Sequence, residues 1–190
     1  MERLYTDDKI FTGQNFKEDY LPKGEYENCT FSNCDFSESD ISEIIFSDCD
    51  FNSCNLSMAA ITQTSFQDVR FKDCKMLGLH FDECNPFGLS FRFENCMLQH
   101  SIFYQLKLKK TGFKNSQLHE VDFTDSDLTQ AIFDNCDLSG AIFENTILEK
   151  ADFRTAFNFS IDPENNRIKM AKFSQPGLSG LLHKYQIQVD

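Results

Sequence analysis

The cysteines and histidines are the residues of this chain whose types could perform chemistry. The sequence contains eight Cys, and Cys29/Cys34 and Cys49/Cys54 form two pairs with the same spacing. Thiolates can bind zinc, and paired thiols can form disulfides. The five-residue spacing differs from the CxxC of zinc ribbons, however, and all eight cysteines, including Cys84, fall at one position of a five-residue pattern. We therefore expect free thiols in a core, where Cys packs as a compact apolar residue.

The four histidines do not form a recognisable catalytic or metal-binding pattern. His80, His100 and His119 fall at outward or corner positions of different five-residue units, and His183 lies in the C-terminal tail. No Ser/His/Asp or Cys/His spacing and no glycine-rich phosphate loop accompanies them. We therefore expect solvated histidines, no catalytic, cofactor or metal site, and a protein that is not an enzyme.

A five-residue period positions all of these side chains. A large apolar residue recurs at every fifth position from Phe11 to Phe81 and, after a slip of two residues, from Phe93 to Phe153. Neither an α-helix nor an ordinary strand has this period, so the chain is read first as a repeat. The residue two places earlier is nearly always small. One unit thus supplies one large and one small inward residue, and its remaining residues turn a corner.

Units such as Ala131–Asn135 (AIFDN) and Cys136–Gly140 (CDLSG) carry the resemblance to a known pattern. The chain resembles the pentapeptide-repeat family over residues 11–158. This resemblance implies an all-β fold, a right-handed quadrilateral β-helix with four units in each coil. Residues twenty apart, such as Phe93, Phe113 and Phe133, should then share a column, with Phe and Leu columns on alternate sides.

The slip of two residues near 84–93 interrupts the repeat. Pro86 occupies a large inward position there, and Phe91 and Phe93 compete for the next one. The slip is either a two-residue bulge or a longer excursion whose length is two more than a multiple of five. Column identity favours the bulge, so we expect Pro86, Phe87 and Gly88 near the surface. They form either a partner-contact element or a tolerated insertion.

The end of the chain departs from the repeat. We predict an N-terminal cap over residues 1–10, the β-helix over 11–158, and a C-terminal cap over 159–190 with a short helix at Gly177–Tyr185. The tail either covers the open end of the β-helix or also forms a twofold interface that doubles the rod. The two roles are compatible, and we favour a homodimer. Its predicted contacts are Leu178, Leu181, Leu182, Tyr185, Ile187 and Val189.

Charge is the property that indicates a partner. The net charge is −12, and about seven coils at the inter-strand spacing give a rod roughly 35 Å long. That is one net negative charge per roughly 3 Å, about half the density of duplex DNA. Such a rod should repel nucleic acid and favour a basic groove on a partner. Lys107, Lys109 and Lys110, with Lys114 and His119 nearby, are interpreted as a small solvated corner.

The overall design also resembles the Qnr-like, quinolone-resistance members of the family. The resemblance implies a dimeric, non-catalytic DNA mimic that binds DNA gyrase or topoisomerase IV and protects it from quinolones or gyrase toxins. An alternative function is a generic protein-interaction scaffold with an unrelated partner, and a metal-binding cysteine protein would require bound zinc. The sequence shows no signal peptide and no membrane-spanning stretch, so we expect no membrane association and a cytoplasmic location.

Overall fold

The computed structural model describes residues 4–187 as one stack of coils with parallel strand pairing. Its strands are short because each side of a coil has only five residues. They are β1 (Leu4–Asp7), β2 (Ile10–Thr12), β3 (Gly24–Glu27), β4 (Thr30–Ser32), β5 (Ile45–Ser47), β6 (Asp50–Asn52), β7 (Ser65–Gln67), β8 (Val69–Lys72), β9 (Phe91–Glu94), β10 (Gly112–Lys114), β11 (Ile132–Asp134), β12 (Asp152–Phe153) and β13 (Lys172–Phe173). Short 3₁₀ helices span Phe81–Glu83, Pro176–Leu181 and His183–Tyr185.

Strand register shows four units per coil. Phe31 of β4 pairs with Phe51 of β6, and Phe113 of β10 pairs with Phe133 of β11, so paired residues are twenty apart. Every fifth residue points inward, and four such residues complete one turn of the chain. The structure therefore confirms the predicted all-β quadrilateral β-helix.

We number the four faces in chain order by their large inward residues. Face 1 contains the sheet β1-β3-β5-β7, and face 2 contains the nine-stranded sheet that runs from β2 to β13. Faces 3 and 4 are joined mainly by isolated bridges, such as Asp35 to Asn55 on face 3 and Asp122 to Ile142 on face 4. The inward columns include Tyr26 and Phe46 on face 1, Phe31 and Phe51 on face 2, Phe36 and Leu56 on face 3, and Ile41 and Ile61 on face 4.

Stacked aromatic rings fill the bore of the β-helix. On face 2 the ring centroids of Phe113 lie 5.2 Å from Phe93 and 5.0 Å from Phe133. These separations are close to the inter-strand spacing, because each coil adds one ring to the column. Across the bore, Phe113 meets Phe123 of face 4 edge-to-face at 5.9 Å. The alternation of Phe and Leu after residue 93 thus places Phe on opposite faces, as predicted.

The corner after each large residue requires left-handed backbone. Lys110 has φ of 62° and Glu120 has φ of 53°, and the same sign recurs at corner positions along the chain. This conformation costs a residue other than Gly roughly 1–2 kcal/mol. Backbone hydrogen bonds to the next coil offset that strain, as when Lys110 N donates to Thr129 O at 2.9 Å. Corner side chains consequently point outward and form columns of their own.

Aspartates that precede large inward residues fix many of the turns. In each case a side-chain oxygen accepts a hydrogen bond from the backbone N–H two residues later, as Asp122 does from Thr124 at 2.8 Å. The others are Asp35, Asp40, Asp127, Asp137 and Asp152. Asp50 occupies the same position before a large inward residue, but it binds the Arg70 guanidinium of the next coil, with Oδ2 2.8 Å from Nη2.

The insertion adds two residues to one coil and leaves the columns aligned. Phe71 of β8 pairs with Phe93 of β9, so the offset is twenty-two residues at this step. Phe91 pairs with Val69, in the column of small inward residues, and is only 3% exposed. Its ring lies 5.4 Å from Phe81 and 5.0 Å from Phe93. Both competing phenylalanines are therefore buried.

The coil register runs beyond the expected repeat at both ends. Strand β1 pairs with β3, and Phe153 pairs with Phe173, twenty residues later. The result is about eight turns rather than seven. Nine strands on face 2 span eight spacings, or roughly 38 Å. The boundaries at residues 10 and 158 remain predictions about domain organisation.

The C-terminal 3₁₀ helices cover the last coil. Ile161 N donates to Gly180 O at 2.9 Å, and Phe159 is buried beneath the glycine. Lys184 Nζ lies 2.7 Å from Asp162 Oδ1 and 2.6 Å from Glu164 Oε2. The fold thus ends in the helical cap that the sequence predicted. The contact between Gly180 and the last coil and the ion pairs of Lys184 hold this cap in place.

Gly180→Ala should destabilise this cap. A Cβ at Gly180 would lie 2.4 Å from Phe159 O and 2.7 Å from its ring, and that backbone is held by the last coil. We expect the free energy of unfolding to fall by about 1–3 kcal/mol, measured by urea denaturation. Gly112→Ala is the control, because a Cβ there meets nothing within 4 Å. Equal stability of the Gly180 variant and the wild type would show that the cap accommodates the methyl group.

Candidate protein-interaction surface

The eight cysteines lie in the core and are not bonded to one another. All are free and buried, and Cys54 Sγ donates to Phe31 O of the previous coil at 3.3 Å. Burial raises the pKa of the Cys49 and Cys136 thiols to about 12. Within residues 4–187, His, Cys, Asp and Glu side chains form no group of three or more able to hold a metal ion. These thiols therefore act as packing groups.

Thiol reagents should consequently react with the cysteines only when the fold unfolds, locally or globally. All eight thiols are buried from the reagent, and burial also raises the pKa of several of them, which lowers the fraction of thiolate, the reactive form. Ellman's reagent should titrate fewer than about one thiol per chain in native buffer and all eight in guanidinium chloride. Rapid reaction of several thiols in the native protein, or zinc in the purified sample, would contradict this packing role.

The histidines lie apart on the surface. His100 Nδ1 is 3.3 Å from Glu120 Oε2, and His119 Nε2 is 3.0 Å from Asp137 Oδ2. Both pairs belong to face 3, whereas His80 lies on face 4 and His183 on the C-terminal cap. The structure thus places the histidines on face 3, on face 4 and on the C-terminal cap, and it does not bring all four together in one site.

Face 4 carries most of the excess negative charge, and we call it the acidic face. Its outward positions flank the column that runs from Leu21 through Phe81 to Phe143. One lysine, Lys23, occupies these positions at the N-terminal end. The carboxylates of the acidic face are Asp40, Glu43, Asp82, Glu83, Asp122, Asp125, Glu144, Asp162 and Glu164.

Among residues 4–187, Lys and Arg side chains form ion pairs with the acidic face only at its two ends. Lys23 Nζ lies 3.5 Å from Glu43 Oε1 at the N-terminal end, and Lys184 contacts Asp162 and Glu164 at the C-terminal end. Between them, within the described part of the chain, no Lys or Arg forms an ion pair with the five central carboxylates. These are Asp82, Glu83, Asp122, Asp125 and Glu144. The central acidic face therefore presents concentrated negative charge to solvent.

Asp82, a carboxylate of the central acidic face, has a shifted pKa. Burial raises the pKa of the Asp82 carboxyl, and the nearby Glu83 and Asp122 charges act in the same direction. His80 Nδ1 lies 3.6 Å from Asp82 Oδ1 and opposes the shift when protonated. A cationic partner group would therefore interact favourably with Asp82 by relieving this repulsion.

Face 2 is close to neutral because its charges are interleaved. Arg70 binds Asp50, and Lys114 Nζ lies 3.1 Å from Glu94 Oε1. Farther along, Arg154 binds Asp152. The net charge of the protein is thus distributed unevenly around the rod, and face 2 provides a natural comparison surface for the acidic face.

The structure also locates the two surfaces predicted from the sequence. Pro86, Phe87 and Gly88 are exposed on face 1, with Phe87 82% exposed. In the tail, Leu178, Tyr185 and Ile187 are exposed, whereas Leu181 packs against the core and Leu182 is half-buried. Val189 lies outside the described residues. The bulge and the tail are on separate parts of the rod and do not form one site.

The sequence analysis gave the net charge but did not predict the acidic face. It also placed together basic residues that the fold separates. Lys107, Lys109 and Lys110 lie on face 1, but Lys114 lies on face 2 and His119 on face 3. The signal that could have found the acidic face is the outward charge at twenty-residue intervals. That signal depends on knowing the number of units per coil and the length of the slip.

Comparisons with known proteins agree with the fold. The "pentapeptide repeat region" family model matches residues 25–92 and 89–156. A trypsin-treated variant of QnrB1, described as a plasmid-mediated fluoroquinolone resistance protein, matches with a TM-score of 0.62 and 19% identity, covering 100% of both chains. Full-length QnrB1 matches with a TM-score of 0.60 and 18% identity, covering 97% of this chain and 100% of its own. The comparison with curated proteins gave no match.

At these identities the likeness to QnrB1 shows a shared fold. None of the helices within residues 4–187 is long and apolar enough to cross a membrane. The family match covers more than half of the sequence, and the coils, inward columns and left-handed corners supply its structural counterpart. This chain belongs to the pentapeptide-repeat family.

Proposed function

We propose that this protein is a non-catalytic DNA mimic whose acidic face binds a basic, DNA-binding surface of DNA gyrase or topoisomerase IV. The observation that carries this proposal is the run of central carboxylates on face 4, none of which forms an ion pair with Lys or Arg within residues 4–187. The binding would protect the enzyme from quinolones or gyrase toxins. It would take place in the cytoplasm, where these enzymes act.

Charge density supports this choice of partner. Asp82 and Glu144 both flank the face 4 column, at positions three coils apart, which is a distance of roughly 14 Å. Five carboxylates over that distance give one negative charge per roughly 3 Å, against about 1.7 Å in B-DNA. A negatively charged face that lies over an apolar core attracts a complementary basic groove and raises the rate of association. Its strength should fall as salt increases.

Rigidity supports the proposal as well. Asp125 N donates to Glu144 O at 2.8 Å, which ties neighbouring coils together beneath their side chains. Asp122 is held by its hydrogen bond to Thr124 N. A fixed array of charges loses little conformational entropy on binding. The resemblance to Qnr-like proteins supplies the identity of the proposed partner, since charge alone fits many basic grooves.

The test is DNA gyrase supercoiling of relaxed plasmid, with and without ciprofloxacin and with and without the purified protein. Restored supercoiling in the presence of drug would support binding and protection. Inhibition without drug would support topoisomerase binding by DNA mimicry and contradict protection. No effect in either reaction, together with no gyrase binding on a biosensor, would contradict the proposal.

A generic protein-interaction scaffold is the second candidate function. The exposed Phe87 favours it, because an aromatic side chain that is 82% exposed on a fixed bulge is a typical contact residue. A pull-down from native cytosol should then recover a partner other than the two gyrase subunits, and Phe87→Ala should reduce that recovery. Recovery of gyrase that is insensitive to Phe87→Ala would favour the DNA mimic.

The C-terminal homodimer remains part of the proposal. Leu178, Tyr185 and Ile187 present exposed apolar surface at one end of the rod. Twofold pairing there would roughly double the length from about 38 Å to about 76 Å. Small-angle scattering of the wild type and of Ile187→Asp should show a long particle and a short one, respectively. A short wild-type particle would exclude end-to-end pairing.

A further inference from the structure

The charge on face 1 changes sign along the rod. Its corner column, which the next coil holds in left-handed backbone, contains acidic residues before Gly88 and lysines after it. Read along the axis, this column is Asp8, Asn28, Asp48, Asp68, Gly88, Lys110, Gln130, Lys150 and Met170. Asp68 and Lys110 thus lie one coil to either side of Gly88.

Neighbouring outward positions repeat the same division. The N-terminal half adds Asp7, Glu25 and Glu27, and the C-terminal half adds cations. Those cations are Lys107, Lys109, Arg167 and Lys169, accompanied by the carboxylates Asp127 and Glu149. Lys109 and Arg167 pair with these two carboxylates. Within the described residues, Lys107, Lys110, Lys150 and Lys169 form no ion pair.

The bulge lies between the two halves and holds Phe87 outward. The Asn85 side chain accepts a hydrogen bond from Phe87 N at 3.1 Å and donates to Ser65 Oγ at 3.0 Å. Ser90 Oγ donates to Asp68 Oδ1 at 2.9 Å, which ties the other end of the bulge to the preceding coil. Face 1 therefore has an acidic half, a fixed aromatic centre and a basic half.

We propose that face 1 is a self-complementary interface through which two copies of this chain pack side by side and antiparallel. A twofold axis through the bulge, perpendicular to the rod, places Asp68 of one copy opposite the partner's Lys110. The same axis places Lys110 opposite the partner's Asp68 and brings Phe87 against the partner's Phe87. This interface is separate from the acidic face and does not depend on the proposed function.

Symmetry selects the antiparallel arrangement. A twofold axis along the rod would place each half of face 1 opposite the same half of the partner's face 1, so like charges would face each other. An axis across the rod reverses the direction and pairs the acidic half with the basic half. An isologous interface forms each such pair twice, which doubles the contribution of Asp68 and Lys110. Aromatic contact at the centre would add apolar burial.

The size of the face predicts a weak, salt-dependent dimer. A face about 38 Å long and about 10 Å wide offers roughly 400 Å² per copy. That is about half of the roughly 800 Å² per partner in a standard stable interface. Charge complementarity must therefore supply much of the affinity, and dimer formation should be strongest at low ionic strength and high protein concentration.

Charge exchange tests this interface. We would measure sedimentation velocity of the full chain at 20 mM and 500 mM salt for the wild type, Asp68→Lys, Lys110→Glu and the double variant. Each single variant should raise the dissociation constant by about tenfold, because it opposes like charges at two places. The double variant should return it to within about threefold of the wild-type value, since opposite charges face each other again.

Particle shape distinguishes this dimer from the end-to-end one. The side-by-side dimer should keep a length near 38 Å and become thicker in small-angle scattering. Dimerisation that is unchanged by both single variants, or lost in the double variant as well as in the singles, would overturn the proposal. All variants should retain the wild-type circular dichroism spectrum, because both corners are exposed.

Binding of duplex DNA by the basic half is the competing outcome. In that case Lys110→Glu should weaken retention of a short DNA duplex, whereas Asp68→Lys should strengthen it, and the double variant should show no specific rescue. A monomer that binds DNA in this pattern would overturn the dimer interface. Absence of DNA binding together with rescued dimerisation would support it.

Discussion

Phe91→Ala should lower the free energy of unfolding by about 3–5 kcal/mol, although Ala matches the small residues common at this position of the repeat. Phe91 lies in the column of small inward residues, opposite Val69, and a consensus substitution would normally stabilise a repeat protein. Here the opposite result is expected, because the ring of Phe91 fills space that its own coil leaves empty.

The empty space arises at Pro86. By sequence count Pro86 should supply a large inward side chain, but it is exposed with the rest of the bulge. Phe91 contacts Phe81 at 5.4 Å and Phe103 at 6.1 Å between ring centroids, so it packs against the face 4 column from within the bore. Truncation would leave a cavity in a core whose neighbouring rings are held by stacking above and below.

Phe87→Ala is the matched control for this prediction. It removes the same ring from the same insertion, but Phe87 is 82% exposed, so the change in stability should stay within about 0.5 kcal/mol. Urea denaturation of both variants, followed by circular dichroism, measures the difference. Similar stabilities for the two variants would mean that Phe91 does not fill the core at this coil.

Charge reversal on the acidic face should remove most of any effect on gyrase. We expect Asp125→Lys combined with Glu144→Lys to raise the concentration needed for half-maximal effect by at least about tenfold. The two residues belong to the central acidic face, where they occupy adjacent coils, and both are exposed. Reversal converts two attractive contacts with a basic groove into repulsive ones. Lysine also tolerates left-handed corners, as Lys110 and Lys150 show.

Asp73→Lys combined with Asp134→Lys provides the control on face 2. This variant changes the net charge by the same amount, but it alters a face on which cations and carboxylates alternate. Its effect on gyrase should stay within about threefold of wild type if the acidic face makes the contact. Equal losses in the two double variants would indicate that only overall charge matters. Urea denaturation of both would exclude loss of folding as the cause.

Much of the core could be predicted from the sequence. Phe113 and Phe133 are twenty residues apart, and they stack because five residues complete one side and four sides complete a coil. The cysteines were expected inside for the same reason, and they are buried. The path of the chain at the insertion could not be assigned from the sequence, because Phe91 and Phe93 both fit the next large inward position of the repeat. The structure buries both, with Phe91 in a small position beside space that Pro86 leaves.

The sequence by itself determined the repeat, the inward columns and the net charge, because each of these depends on residues within one unit or on a simple sum. Only the tertiary structure decided which charges share a face. Asp82 and Glu144 come to share face 4, and Asp68 and Lys110 come to share face 1, through the coil register, and the two-residue insertion shifts that register in mid-chain. Outward side chains have no packing constraint that marks their partners, so their grouping emerges only when the coils are stacked.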